Sequence, residues 1–158
     1  MNIEVKGAIH GPSQDAIKSF ESYCRNNLPD DFVSFIAYGN GGKPANNVFI
    51  SDGSVRVIER FLPLMDEPET DPIQGQYDMS VVETQIGERL ASDPDQLGCT
   101  LIPFAALFGG DFLCFDYRNS PSDPSVSIWD HNVSDDFSPA TTPAAGSFSE
   151  LISLLRLL

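Results

Sequence analysis

Four residues have the chemistry to form a site: Asp111, Asp116, Asp130 and His131, all within residues 102–131. A histidine among carboxylates can hold a metal ion or work as an acid/base pair. Zinc, however, usually takes three protein ligands with His or Cys among them. The chain has one other histidine, His10, in an N-terminal segment that reads as flexible. Acid/base work by paired carboxylates needs a deep pocket and one raised pKa. The same aspartates can instead end strands and accept from turn amides. A structural or interface role is therefore the leading reading, with metal binding and catalysis as alternatives. Cys114 sits in the apolar run 112–115, where nothing adjacent in sequence would lower its pKa. It reads as a small buried hydrophobe. The chain has no Gly-x-Ser-x-Gly, His-Glu-x-x-His or Cys-x-x-Cys pattern. No catalytic residue, metal or cofactor is expected.

The elements that must position these residues follow from periodicity and turn chemistry. Residues 102–131 read as three short strands. Gly109-Gly110-Asp111 makes a tight hairpin turn between the first two, because glycine tolerates positive φ. Residues 112–115 lack alternation and predict a central strand buried on both faces. Upstream, Ser13 reads as an N-cap for a helix with Ala16, Phe20, Tyr23 and Cys24 on one stripe, ending near Asn27. A second helix starts near Asp30, with Phe32, Phe35 and Ile36 inward. It stops at Gly39-Asn40-Gly41-Gly42, read as a left-handed helix cap rather than a phosphate loop, since it ends a helix and leads into a strand. Residues 48–50 and 55–62 predict a hairpin about Ser51-Asp52-Gly53. Residues 66–75 are acidic and aperiodic and read as an exposed loop. Met79, Val82, Ile86 and Leu90 predict a helix over 76–91. Residues 132–146 read as a polar loop, and Ser147 with Glu150 as a capping box opening a last helix.

The sum is an α+β fold: one domain over residues 1–158, with a single antiparallel or mixed sheet covered by N-terminal, middle and C-terminal helices. The chain has 158 residues, 41% of them hydrophobic, which is enough for a core without disulfides or metal. Its 23 acids against 9 bases give a net charge of −14. So few scattered bases cannot track phosphates, which argues against nucleic acid and anionic membrane as partners. A basic protein partner fits, and so does simple solubility. Three cysteines with no close pair argue against a disulfide framework and fit a reducing cytoplasm. Residues 1–11 do not read as a signal peptide, and no apolar run approaches the ~18 residues of a membrane span.

Five motifs in order, Leu28-Pro29-Asp30-Asp31-Phe32, Tyr38-Gly39-Asn40-Gly41-Gly42, Gly109-Gly110-Asp111-Phe112-Leu113-Cys114-Phe115-Asp116, Val126-Ser127-Ile128-Trp129-Asp130-His131 and Ser147-Phe148-Ser149-Glu150-Leu151, resemble the SUKH superfamily. That group takes in the fungal cell-wall assembly regulator of the Smi/Knr type and many bacterial immunity proteins. The chain departs from the pattern at Asn132, where the family typically carries an acidic residue. The resemblance implies a sheet covered by helices and a non-enzymatic role, binding and neutralising a toxin, often a nuclease. It gives Gly39, Gly41, Gly42, Gly109, Gly110 and Trp129 structural roles. The expected partner surface is acidic: Asp66, Glu67, Glu69 and Asp71, with Asp111, Asp130 and His131 at strand ends. Two alternatives remain, a regulatory or scaffold module of the same fold, and a hydrolase using Asp130 and His131.

Overall fold

A computed structural model describes residues 2–157. Its main sheet has six strands in the order β3 (Val48–Ser51), β4 (Ser54–Phe61), β5 (Leu101–Leu107), β6 (Phe112–Asp116), β7 (Ser125–Trp129) and β8 (Thr141–Ala145). Each strand pairs antiparallel with the next in sequence, so the sheet is a meander. The hairpin β3–β4 turns through Asp52 at φ 51° and Gly53 at φ 74°, two left-handed residues of the kind a tight hairpin needs. Pro103 lies inside central β5, where it cannot donate to the ladder, and the register shifts there between Pro103 and Ala105.

The expectation of one sheet needs a correction. A second small sheet pairs β1 (Val5–Lys6) with β2 (Lys43–Pro44). The reading of 132–146 as loop also fails, because β8 occupies part of it. Thr141-Thr142-Pro143-Ala144-Ala145 has neither bulk nor alternation, and it forms a strand only because β7 offers it an edge. Ser51 Oγ on the opposite edge donates to the Pro143 carbonyl at 3.1 Å, so the two edges approach. Beyond the last helix, Arg156 and Val48 exchange backbone hydrogen bonds of 2.8 and 3.0 Å, which covers the β3 edge.

Helices α1 (Gln14–Cys24), α2 (Asp30–Gly39), α4 (Met79–Leu90) and α5 (Phe148–Leu154) match the expected helices, α1 and α4 with shorter bounds. α1 ends at Cys24, three residues before the expected end, because Arg25 takes a left-handed conformation at φ 59°. Its inner stripe is Ile17, Phe20 and Cys24, while Tyr23 is 58% exposed. α4 starts at Met79, where Asp78 caps two amides. Residues 66–75 are not plain loop: a 3₁₀ turn (Pro68–Thr70) leads into the short helix α3 (Pro72–Gly75), each opened by proline at its first turn. α2 stops in a type II turn, not a left-handed cap: Asn40 keeps φ −55°, Gly41 takes φ 71°, and the Gly42 amide donates to the Gly39 carbonyl at 3.0 Å. Ser147 caps α5 as expected, but Glu150 reaches the Gly146 amide at 3.1 Å rather than that of Ser147.

Phe32 and Phe35 of α2 and Phe148 of α5 pack on the sheet against Phe61, Phe104 and Phe115, all at most 1% exposed. Phe104 and Phe115 stack at 4.1 Å, and Phe32 meets Phe115 and Phe148 edge-on at 5.0 and 5.3 Å. Alternation along β6 sends Cys114 to the other face, where it joins Leu90, Leu101 and Trp129 in a smaller cluster against α4. Phe148→Ala should cost about 3–5 kcal/mol through the cavity it leaves, and Ser147→Ala about 1 kcal/mol through the lost cap. Urea unfolding of both variants checks this, and equal losses would refute the central place given to Phe148.

Candidate functional site

The turn from β5 to β6 and the end of β7 bring Asp111, Asp130 and His131 together. Potential ligand atoms of the three lie within 4.8 Å of one another. Gly109 and Gly110 take φ 101° and 103°, as the hairpin reading required. A side chain at Gly110 would also strike the His131 ring, since a Cβ there would lie 2.9 Å from Nε2. Glycine thus lets the imidazole lie flat on the turn.

Asp111 is the hub. Its Oδ1 accepts from the His131 amide at 3.0 Å and lies 2.6 Å from His131 Nδ1, while its Oδ2 accepts from Arg56 at 2.6 Å. An ionised carboxylate can only accept, so Nδ1 carries the hydrogen. Partial burial pushes the Asp111 carboxyl up, but bonds from His131 and Arg56 outweigh it and hold the group below the usual carboxylate range. Asp130 is committed differently: its Oδ1 accepts from the Asn132 and Val133 amides at 2.8 and 3.2 Å, an Asx turn that sets the exit from β7. Arg56, Asp111 and His131 therefore work as a buckle joining β4, the β5–β6 turn and the end of β7.

Asp116 does not join it. It sits at the other end of β6, where Arg118 donates at 2.9 and 2.7 Å and Ser127 Oγ at 2.9 Å. Burial again raises its carboxyl, and the hydrogen bonds from Arg118 and Ser127 bring it below the usual range. The expected four-residue constellation thus splits in two. Cys114 is fully buried and burial pushes its thiol well up, against a nucleophilic role.

The acidic segment lies elsewhere. Asp66, Glu67 and Glu69 are exposed, with Asp66 Oδ1 accepting from the Ser13 amide at 2.9 Å. Asp71 caps α3 through the amides of Ile73 and Gln74. Asp66 and Glu67 form one wall of a groove whose other wall, on α1, carries Asp15 and Tyr23.

Several working residues escaped the sequence reading. Arg89 lies 4.9 Å over the Trp129 ring and donates to the carbonyls of His131 and Ser134, while Trp129 Nε1 donates to the Arg89 carbonyl at 3.0 Å. Its place in the last turn of α4 was the available signal. Arg60, 7% exposed, donates to the Gly41 carbonyl and Gln74 and stacks 4.2 Å over Tyr77. Glu83 is buried on α4.

The SUKH_6 family model, described as SMI1-KNR4 cell-wall, matches residues 14–152. A curated relative, the SPbeta prophage-derived uncharacterized protein YokK of Bacillus subtilis (strain 168), is 21% identical over 126 residues, covering 77% of this chain. The chain spans 64% of that relative's length.

Because the folded Asp111 carboxyl lies below its ordinary value near 3.9, its bonds stabilise the fold above that value and are lost as pH falls through the lower folded one. Asp111→Asn should therefore cost about 1–3 kcal/mol at pH 7 and progressively less below about pH 4. Urea unfolding at pH 7, 4 and 2.5 measures it, and a gap that widens in acid would refute the buckle.

Proposed function

This chain belongs to the SUKH_6 group of the SMI1-KNR4 cell-wall family, and we propose that it is a non-enzymatic protein-binding domain of the immunity type. In this reading it neutralises a bacterial toxin by covering a basic surface with an acidic one. The observation that carries it is how the charges are used. Of the chain's nine bases, buried Arg60 and half-buried Arg56 and Arg89 are drawn onto a carboxylate and carbonyls, and exposed Arg118 is tied to Asp116. Glu67 and Glu69 stay exposed on the acidic segment, next to Asp66. A nuclease toxin must carry a basic surface to hold its substrate, so an acidic rim can compete for it. The same reading keeps Asp111, Asp130 and His131 as shape-setting residues at one end of the sheet rather than as catalytic groups. Among the described residues no helix is long and apolar enough to cross a membrane.

A second reading, a regulatory or scaffold module, is favoured by a different surface. An open groove of about 260 Å³ between α4 and the β5–β6 turn is lined by Tyr77, Val82, Ile86, Leu107 and Phe112. It suits an apolar segment of a partner.

The product of the neighbouring gene, tested for binding at 50 and 300 mM salt, separates the two. The immunity reading expects affinity to fall with salt, and Glu67→Lys with Glu69→Lys to slow association about tenfold without changing stability. Salt-independent binding that is lost in Ile86→Lys instead would transfer the function to the apolar groove.

A further inference from the structure

Glu83 is a buried carboxyl that the described residues satisfy only in part, with the Cys99 thiol beside it. It is 5% exposed on α4, and its Oε2 has no hydrogen-bond partner among the described residues. Thr100 Oγ1, just before β5, is in the same condition. Buried polar atoms in folded proteins are nearly always bonded, so two orphans lining one groove call for an explanation. That groove, of about 280 Å³, lies between α4, the turn at 93–98 and the start of β5. Its walls also carry the acids Glu88 and Asp93 and the aromatics Tyr23 and Phe137, and no Lys or Arg. One helical turn past Glu83, on the same face, Gly87 leaves the groove open, and a Cβ there would meet nothing within 4 Å.

We propose that this groove receives one cationic side chain, lysine or arginine, of a protein partner, with Glu83 and Thr100 accepting its N–H donors. The proposal rests on the protein-binding reading above and locates one contact within it. The volume is smaller than the ~300–1,000 Å³ usual for a drug-sized ligand and suits a single side chain. Acceptors without donors, flanking carboxylates and exposed Tyr23 at the wall, placed for a cation–π contact, all favour positive charge over any other class. Oε2 is sealed from solvent now, but the last torsion of glutamate is soft and can turn it outward.

Docking has a proton balance. Burial, with the Cys99 thiol beside it, holds the Glu83 carboxyl well above the usual range, which favours the protonated form in the free protein. The other titratable groups that feel it, Tyr23 of α1, Cys99 and Cys114 of β6, are all pushed up and stay uncharged at neutral pH. When the cation enters, Glu83 releases its proton to solvent and the carboxylate pairs with the cation.

The full chain is titrated with n-butylguanidinium and n-butylammonium, with n-butanol as the neutral control. Amide shifts of Gly98 and Thr100 report binding, and calorimetry in two buffers of different ionisation heat reports proton release. Both cations should give saturable shifts and release protons, and butanol should give neither. Glu83→Gln copies the neutral acid, so it should keep the unfolding midpoint while weakening cation binding at least tenfold and abolishing proton release. Gly87→Leu should block the groove with the fold intact. Undiminished binding in Glu83→Gln, no saturable shift, or response to a divalent cation alone would overturn the proposal. If a protein partner binds equally well to Glu83→Gln, this contact falls while the protein-binding reading stands. If cations seat but no protein partner is found, that reading falls alone.

Discussion

The whole arrangement hangs on the aromatic contact between α2, α5 and the sheet. Phe32 touches Phe104, Phe115 and Phe148 at ring separations of 5.7, 5.0 and 5.3 Å, so one side chain joins two helices to two central strands. α2 and α5 are 118 residues apart where Ser149 reaches Asp31, and no local sequence signal could hold them together. Burying rings of this size supplies the non-local term that outweighs the entropy of closing so long a loop. It also fixes where β6 must lie, and therefore where the β5–β6 turn presents Asp111. The polar buckle is downstream of the apolar core: Arg56, Asp111 and His131 meet because Leu113 and Phe115 are already anchored.

With 9 bases to 23 acids, how the arginines are spent shapes the outside of the molecule. Arg60 satisfies carbonyl and amide oxygens rather than a carboxylate, and burial pulls its guanidinium down from its ordinary value. Arg89 does the same for two carbonyls beyond β7. Because these cations meet backbone oxygens, they leave surface carboxylates without compensation. An acidic exterior thus follows from how the fold uses arginine, as well as from the count of acids. Charge left outside in this way acts on encounter and specificity more than on stability.

Much of the fold was legible in the sequence, for reasons that differ by element. α2 was readable because Phe32, Phe35 and Ile36 repeat at helical spacing against a glycine stop, and β6 because an unbroken apolar run has few alternatives. β8 was not, since Pro143, Ala144 and Ala145 offset the strand preference of its two threonines and the segment needs β7 to pair with. The short helices at 68–75 were hidden by prolines, which mark turns and helix starts alike. In the site, proximity in sequence correctly joined Asp130 to His131, but it could not separate Asp116 from Asp111. Five residues along one strand place two carboxylates at opposite ends of it, each beside its own arginine. Arg56 came from a distant strand and left no local trace. Glu83 did leave one: it sits on the stripe of Met79, Val82 and Ile86, where a carboxylate is out of place.

The way polar groups are committed bears on what kind of function this fold can hold. Catalysis by Asp111 and His131 would need, beyond the ring orientation that Asp111 supplies through Nδ1, a reactive group facing Nε2. Here Asp111 is also tied to Arg56 and to the His131 amide, and the His131 ring lies over Gly110, 2.9 Å from where a Cβ would stand. Asp130 is held by two turn amides and Asp116 by Arg118 and Ser127. Groups tied this tightly give a rigid edge to the sheet, and rigidity is what a binding surface gains from, since little ordering remains to be done on association. Glu83 is the exception, a buried acid with one oxygen left unbonded among the described residues. An interior that bonds Asp111 and Asp116 so fully, yet leaves one Glu83 oxygen unbonded beside an open groove, is better matched to an arriving donor than to a fault in packing.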